Sequence, residues 1–110
     1  MITEFCSPQL QAPDLVACLR LLVLSSALEE FVVRAGLQEW LIRRSSRPWP
    51  VPVSAIAFGL LHLGSGWQHA LAVTAPGLAL ALLYQYTRSW RWCALAHGAM
   101  NAFAISVCSI

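Results

Sequence analysis

From Pro48 to Thr87 the chain carries no Asp, Glu, Lys or Arg, and it carries none again from Trp92 to Ile110. Uncharged stretches of this length cannot cover a water-facing surface; they belong in the hydrocarbon layer of a membrane. Composition agrees: 58% of the 110 residues are hydrophobic and 11% are charged, whereas a soluble domain is roughly one quarter charged. That rules out a disordered chain and argues against a cytosolic enzyme. The net charge of +2 comes from arginine alone. The arginines form no run dense enough to follow a phosphate backbone, so nucleic acid is not an expected partner.

The punctuation of the chain predicts an all-α, polytopic membrane bundle of about four hydrophobic segments, a single domain over residues 1–110 with a polar lead-in at 1–13. Asp14 is placed to cap a helix running to about Arg43. Arg43, Arg44 and Arg47 with Pro48, Pro50 and Pro52 end it. A second apolar segment, Val53 to Leu63, is short for a full span and is stopped by Gly64, Ser65 and Gly66. A third runs from Trp67 or His69 to Thr87, with a kink expected at Pro76 and Gly77. Arg88 and Arg91 bracket a turn, and a fourth segment follows. No basic residue precedes Arg20, so the apolar stretch from Leu21 is expected to be retained and not cleaved as a signal peptide. The four cysteines show no C-x-x-C spacing; neither a disulfide framework nor a zinc knuckle is expected, and the three in apolar segments read as small buried hydrophobes.

Cytoplasmic loops collect arginine, which places the Arg43–Arg47 and Arg88–Arg91 loops inside and both termini outside. The tryptophans fit independently: Trp40, Trp49, Trp90 and Trp92 flank the basic loops, Trp67 sits at the opposite turn, and none lies mid-segment, as an interfacial belt requires.

Ionisable groups at bilayer depth are costly unless paired or facing an interior cavity, and so mark function by default. Three clusters qualify: Glu29, Glu30 and Arg34; Phe58 and His62; His97 and Asn101. Glu30 and Arg34 are four apart on one helix face, an ion-pair spacing. Glu29 is rotated by about 100° from Glu30 and is left without that partner, as a general base would be. His97 and Asn101 also share a face and are placed to converge on one substrate atom. Counted from the inner surface at about 1.5 Å per residue, Glu29 and Glu30 lie roughly 12–15 Å deep, His62 about 15 Å, and His97 and Asn101 about 9 and 15 Å. The clusters therefore reach one layer. Each has a bland reading: a lone histidine can bond a neighbouring helix, and a Glu–Arg pair can be a staple. His69, beside Trp67, reads as interfacial, Arg20 as snorkelling, and Tyr84, Gln85 and Tyr86 as interface anchors.

In this order on successive segments, E-E-x-x-x-R, F-x-x-x-H and H-x-x-x-N resemble the CPBP family of intramembrane proteases, also called Abi or CAAX-protease and bacteriocin-processing proteins. The resemblance spans roughly Leu28 to Phe103. It implies hydrolysis of a peptide bond in a membrane-associated or signal-bearing protein, with Glu29 and His62 activating water, His97 and Asn101 stabilising the oxyanion, and Glu30, Arg34 and Phe58 supporting. It also implies residence in a bacterial inner membrane. No cofactor is favoured; Glu29, His62 and His97 are the alternative zinc set, set against the absence of an H-E-x-x-H pair. Members usually carry further helices, so the chain is either a minimal member or one completed by a second copy or a helper membrane subunit, the partners then expected beside substrate and lipid. The rival readings are a bacteriocin-immunity or partner-binding protein with a vestigial site, and a small proton or solute carrier, for which Pro76 and Gly77 speak. Titratable groups gathered in one layer favour a reaction centre over a relay.

Overall fold

The computed structural model describes residues 14–46 and 48–108. The expected polar lead-in at 1–13 and Arg47 of the first basic loop lie outside the described residues. Among the described residues all regular structure is helical, in four rods.

The first rod, α1 (residues 15–44), starts where Asp14 caps it, its carboxylate accepting the Ala17 N–H at 2.7 Å. The rod is continuous but not uniform. α-Helical turns at Leu15–Leu19, Ser25–Glu30 and Glu39–Arg44 alternate with π-helical turns at Arg20–Leu24 and Phe31–Gln38. This alternation has a geometric consequence. Ser26, Glu30, Arg34 and Gln38 recur every four residues, and each is no more than 1% exposed. In a pure α-helix a four-residue step overshoots a full turn by about 40°; the wider i→i+5 turns set the stripe back, so it keeps facing inward.

The second rod, α2 (Pro50–Leu60), begins earlier than the sequence predicts because Pro50 occupies its first turn, where a missing N–H costs nothing. It also ends earlier, and His62 stands just beyond it. A short 3₁₀ turn at Leu63–Ser65 leads into α3 (Trp67–Thr87), which continues through Pro76. The last rod is α4 (Trp90–Cys108). The α2–α3 hairpin packs against the Phe31–Gln38 part of α1, whereas Arg20–Leu24 and Ser25–Glu30 pack on α4. At about 1.5 Å per residue α1 is roughly 45 Å long, which accounts for the 43 Å long dimension of the molecule.

Two glycines allow the approaches that build the interior. A Cβ at Gly77 would lie 2.7 Å from Phe58 Cδ1, and one at Gly98 would lie 2.6 Å from the Leu22 carbonyl oxygen. A small apolar cluster of Val33, Phe58, Val73 and Leu80 fills the centre, with Ala96 and Met100 against it. The polarity is otherwise inverted. The largest fully buried side chains include Arg34, Gln38 and Glu30, while Leu15, Val32, Ile56, Leu71 and Phe103 are more than half exposed. An exposed apolar coat of this extent is not a soluble protein's surface. Among the described residues α3 alone is long and apolar enough to cross a membrane, and α2 is a shorter apolar helix.

At the arginine-rich end, Glu39 fastens α1 to the α3–α4 turn. Its carboxylate accepts from Arg43 at 3.0 Å, from the Tyr84 hydroxyl at 2.5 Å and from Arg88. The Arg88 bond holds the Glu39 carboxyl down at about 2 against an ordinary 4.5. Tyr84, expected as an interface anchor, is instead 3% exposed, because its hydroxyl has this partner. Tyr86 does face outward. The cysteines also need correction: Cys93 is a buried thiol as expected, but Cys108 is disulfide-bonded.

Candidate active site

Glu30 and Arg34 pair as their spacing requires, Arg34 Nε donating to Glu30 Oε1 at 2.8 Å with both side chains fully buried. Burial of this pair is tolerable because nothing polar is left over. Arg34 also donates to Ser54 Oγ at 2.6 Å and to the Gly77 carbonyl at 3.1 Å. Glu30 uses its second oxygen, Oε2, for His97 Nδ1 at 2.8 Å. Among the described residues no buried side-chain nitrogen or oxygen lacks a hydrogen-bond partner, which is what an interior without water must achieve.

Glu29, one residue away, faces different neighbours. Its Oε1 lies 3.5 Å from His62 Nε2 and its Oε2 lies 3.6 Å from His97 Nε2; Ser25 Oγ donates to Oε2 at 3.4 Å. Its side chain is 26% exposed against none for Glu30, so Glu29 is the carboxylate that an incoming molecule can reach.

The histidines reach Glu29 for separate reasons. At the end of α2 the His62 N–H turns to the Gly59 carbonyl. That frees the Phe58 carbonyl, which His62 Nδ1 takes at 2.8 Å. A carbonyl only accepts, so Nδ1 carries the proton and Nε2 of the neutral ring is bare. For His97 the acceptor is the Glu30 carboxylate, already committed to Arg34, and the same logic applies. Both Nε2 atoms that face Glu29 are thus lone pairs in the neutral rings. Phe58 sits among all of them: its ring centroid is 5.0 Å from that of His62, 5.3 Å from that of His97 and 5.2 Å from the Arg34 guanidinium carbon.

A protein-family model described as "Type II CAAX prenyl endopeptidase Rce1-like" matches residues 11–103. The chain belongs to this family. It is therefore a membrane-embedded protein of a protease family. No curated protein and no solved structure matches it.

For this Rce1-like chain the structure brings Glu29, Glu30, Arg34, Phe58, His62 and His97 into one cluster. Asn101 lies beside it on α4, but its amide donates to Ser26 Oγ at 3.1 Å. His97 and Asn101 thus bond two successive members of the α1 stripe, Glu30 and Ser26. His69, read as interfacial, is closer to the site than its sequence context implies, its ring centroid 5.7 Å from that of His62. Ser25, Ser26, Ser54 and Gln38 were not singled out as site residues. Gln38 had a usable signal, its four-residue spacing from Arg34; Ser54 had none. Among the described residues no group of three His, Cys, Asp or Glu side chains is arranged to hold a metal ion. Each imidazole addresses a different oxygen of Glu29.

Proposed function

We propose that this protein is an intramembrane endopeptidase of the CAAX prenyl protease type that works by a glutamate-activated water without a metal. The observation that carries the proposal is the Glu29 carboxylate, partly accessible and held between two imidazole Nε2 atoms at 3.5 and 3.6 Å, beside a Glu30 that is wholly consumed by its neighbours.

In this reading a water enters beside Glu29 and is oriented by the bare His62 Nε2. Glu29 takes one of its protons as the water oxygen attacks the scissile carbonyl carbon. The carbonyl oxygen becomes an oxyanion, which His97, once its Nε2 has taken up a proton, and the side-chain amide of Asn101 stabilise. Glu30 beneath His97 balances the charge of the imidazolium. The proton on Glu29 then passes to the leaving amine as the C–N bond breaks. Glu30, Arg34 and Phe58 hold this geometry and touch no substrate.

The topology proposed with it is multi-pass in a bacterial inner membrane, with the Arg43–Arg47 and Arg88–Arg91 loops cytoplasmic. The supports are the exposed apolar coat and the gathering of four arginines with one carboxylate at a single end. The short α2 ends at the level of Glu29, which leaves water a route to it. The substrate is a membrane-associated protein or peptide.

The test is cleavage of membrane-anchored candidates, prenylated C-terminal peptides first, by wild type, Glu29→Gln and His62→Ala. Both variants are expected to fold and fail to cleave. Treatment with a strong chelator should leave the wild-type rate within twofold; stoichiometric zinc whose removal abolishes cleavage would overturn the metal-free mechanism.

A further inference from the structure

The site rests on a hydrogen-bond chain that runs beyond the family's motif residues. Gln38 Nε2 donates to the Ala81 carbonyl of α3 at 2.8 Å and to Gln85 Oε1 at 3.3 Å. Its other end, Oε1, accepts from Ser54 Oγ at 3.0 Å. Ser54 Oγ in turn accepts from Arg34 at 2.6 Å, and Arg34 holds Glu30, which holds His97. Gln38, Ser54, Arg34 and Glu30 have no solvent exposure.

Every link in this chain has one permitted polarity. The Ala81 carbonyl can only accept, so it fixes which end of the Gln38 amide is nitrogen. The Gln38 oxygen must then accept, so the Ser54 hydrogen points at Gln38 and its lone pairs at Arg34. Arg34 only donates, so Glu30 only accepts, and His97 must carry its proton on Nδ1. We infer that Gln38 and Ser54 are positioning residues of the catalytic centre. Arg34 donates in any arrangement, so what they transmit is place: they hold Arg34, and with it the Glu30 carboxylate, against His97 Nδ1. That contact sets the tautomer of the neutral ring and turns toward Glu29 the Nε2 that is bare at rest and takes up a proton to stabilise the oxyanion. A backbone carbonyl on α3 is the reference for the whole array. Satisfied buried networks of this kind gain rigidity from every member, and the α2 serine is the one member that ties the second rod into it.

The inference rests on the protease reading for its catalytic consequence but not for its structural one, and the test separates the two. Protein labelled with ¹⁵N-histidine is examined by NMR in detergent micelles, with the His97 signals assigned by their loss in His97→Gln. Wild type should show His97 protonated at Nδ1 and bare at Nε2. Ser54→Ala and Gln38→Met should each shift His97 toward a tautomer mixture, and the double variant should go no further than either single one, because the two act in series. Ser54→Thr, which keeps the hydroxyl, should retain the wild-type signals. In the cleavage assay kcat should fall by about tenfold or more in Ser54→Ala, toward the roughly hundredfold that a misplacement of about 1 Å costs, with KM within twofold.

An unchanged His97 tautomer in folded Ser54→Ala and Gln38→Met overturns the inference, whatever the cleavage assay gives. So does an altered tautomer in Ser54→Thr, the variant that decides the matter if Ser54→Ala does not fold. Altered His97 signals in a protein that cleaves nothing would leave the positioning chain standing and count against the protease reading alone.

Discussion

Glu29 and Glu30 are adjacent and chemically alike, yet the rotation of about 100° between successive helical residues gives them different surroundings. Glu30 faces Arg34 and His97 and is closed to solvent; Glu29 faces the two Nε2 atoms and is partly open. Glu30→Gln leaves the Arg34 cation buried without its counter-charge, and breaking such a pair costs about 3–5 kcal/mol. The expected outcome is a large drop in folded, detergent-solubilised yield and in melting temperature. Normal yield with normal melting would contradict the role assigned to the pair. Which carboxylate pairs was legible from spacing alone. The bond between Glu30 and His97 was not, because it joins residues far apart in sequence and depends on how α1 and α4 rotate against each other. Gly98 sets how close those rods come. His69 shows the same limit: a glycine break and a tryptophan signalled an interface, but the shortness of α2 brings that turn down to His62.

The elements were legible in kind and order, down to Asp14 as the first cap and Thr87 as the end of α3. The boundaries of α2 shifted because Pro50 reads as a breaker in a loop and acts as a helix starter. The π-helical turns of α1 left no readable mark; they follow from keeping a polar stripe with a four-residue repeat in register with one face, and Ser26 and Gln38 come inside with it. At this scale Gly98 is the sensitive position. Gly98→Ala puts a methyl group against the Leu22 backbone, which cannot rotate away as a side chain can. The expected cost is about 1–3 kcal/mol, read as a lowered melting temperature together with reduced cleavage, since α1 and α4 carry Glu29 and His97. The Glu39 clamp gives a pH prediction. Its carboxyl sits at about 2 in the folded protein against 4.5 ordinarily, so its contribution is present above about pH 4.5 and is lost as pH falls toward 2. Melting temperatures of wild type and Glu39→Gln should differ at neutral pH and converge through that window. A gap that stays constant down to pH 2 would show that the clamp contributes nothing through its charge.

The whole molecule is a polar spine inside an apolar coat, an arrangement that only a nonpolar surrounding makes sensible. Water outside would leave the exposed leucines and phenylalanines unprotected, and lipid inside would leave Glu30, Arg34 and Gln38 unsatisfied. The two uncharged stretches anticipate the coat, and the three motifs anticipate half of the spine. The other half, Ser54 and Gln38, is hidden because a serine in an apolar run and a glutamine near a basic loop are ordinary in themselves. What the molecule is arranged to do turns on Glu29. The most direct measurement is the rate at which purified protein in proteoliposomes cleaves a prenylated C-terminal peptide, wild type against Glu29→Gln, with melting temperature measured on the same samples. Loss of a general base predicts a fall of about 10²–10⁴ in kcat with unchanged melting. Cleavage by folded Glu29→Gln at the wild-type rate would contradict the account at its centre.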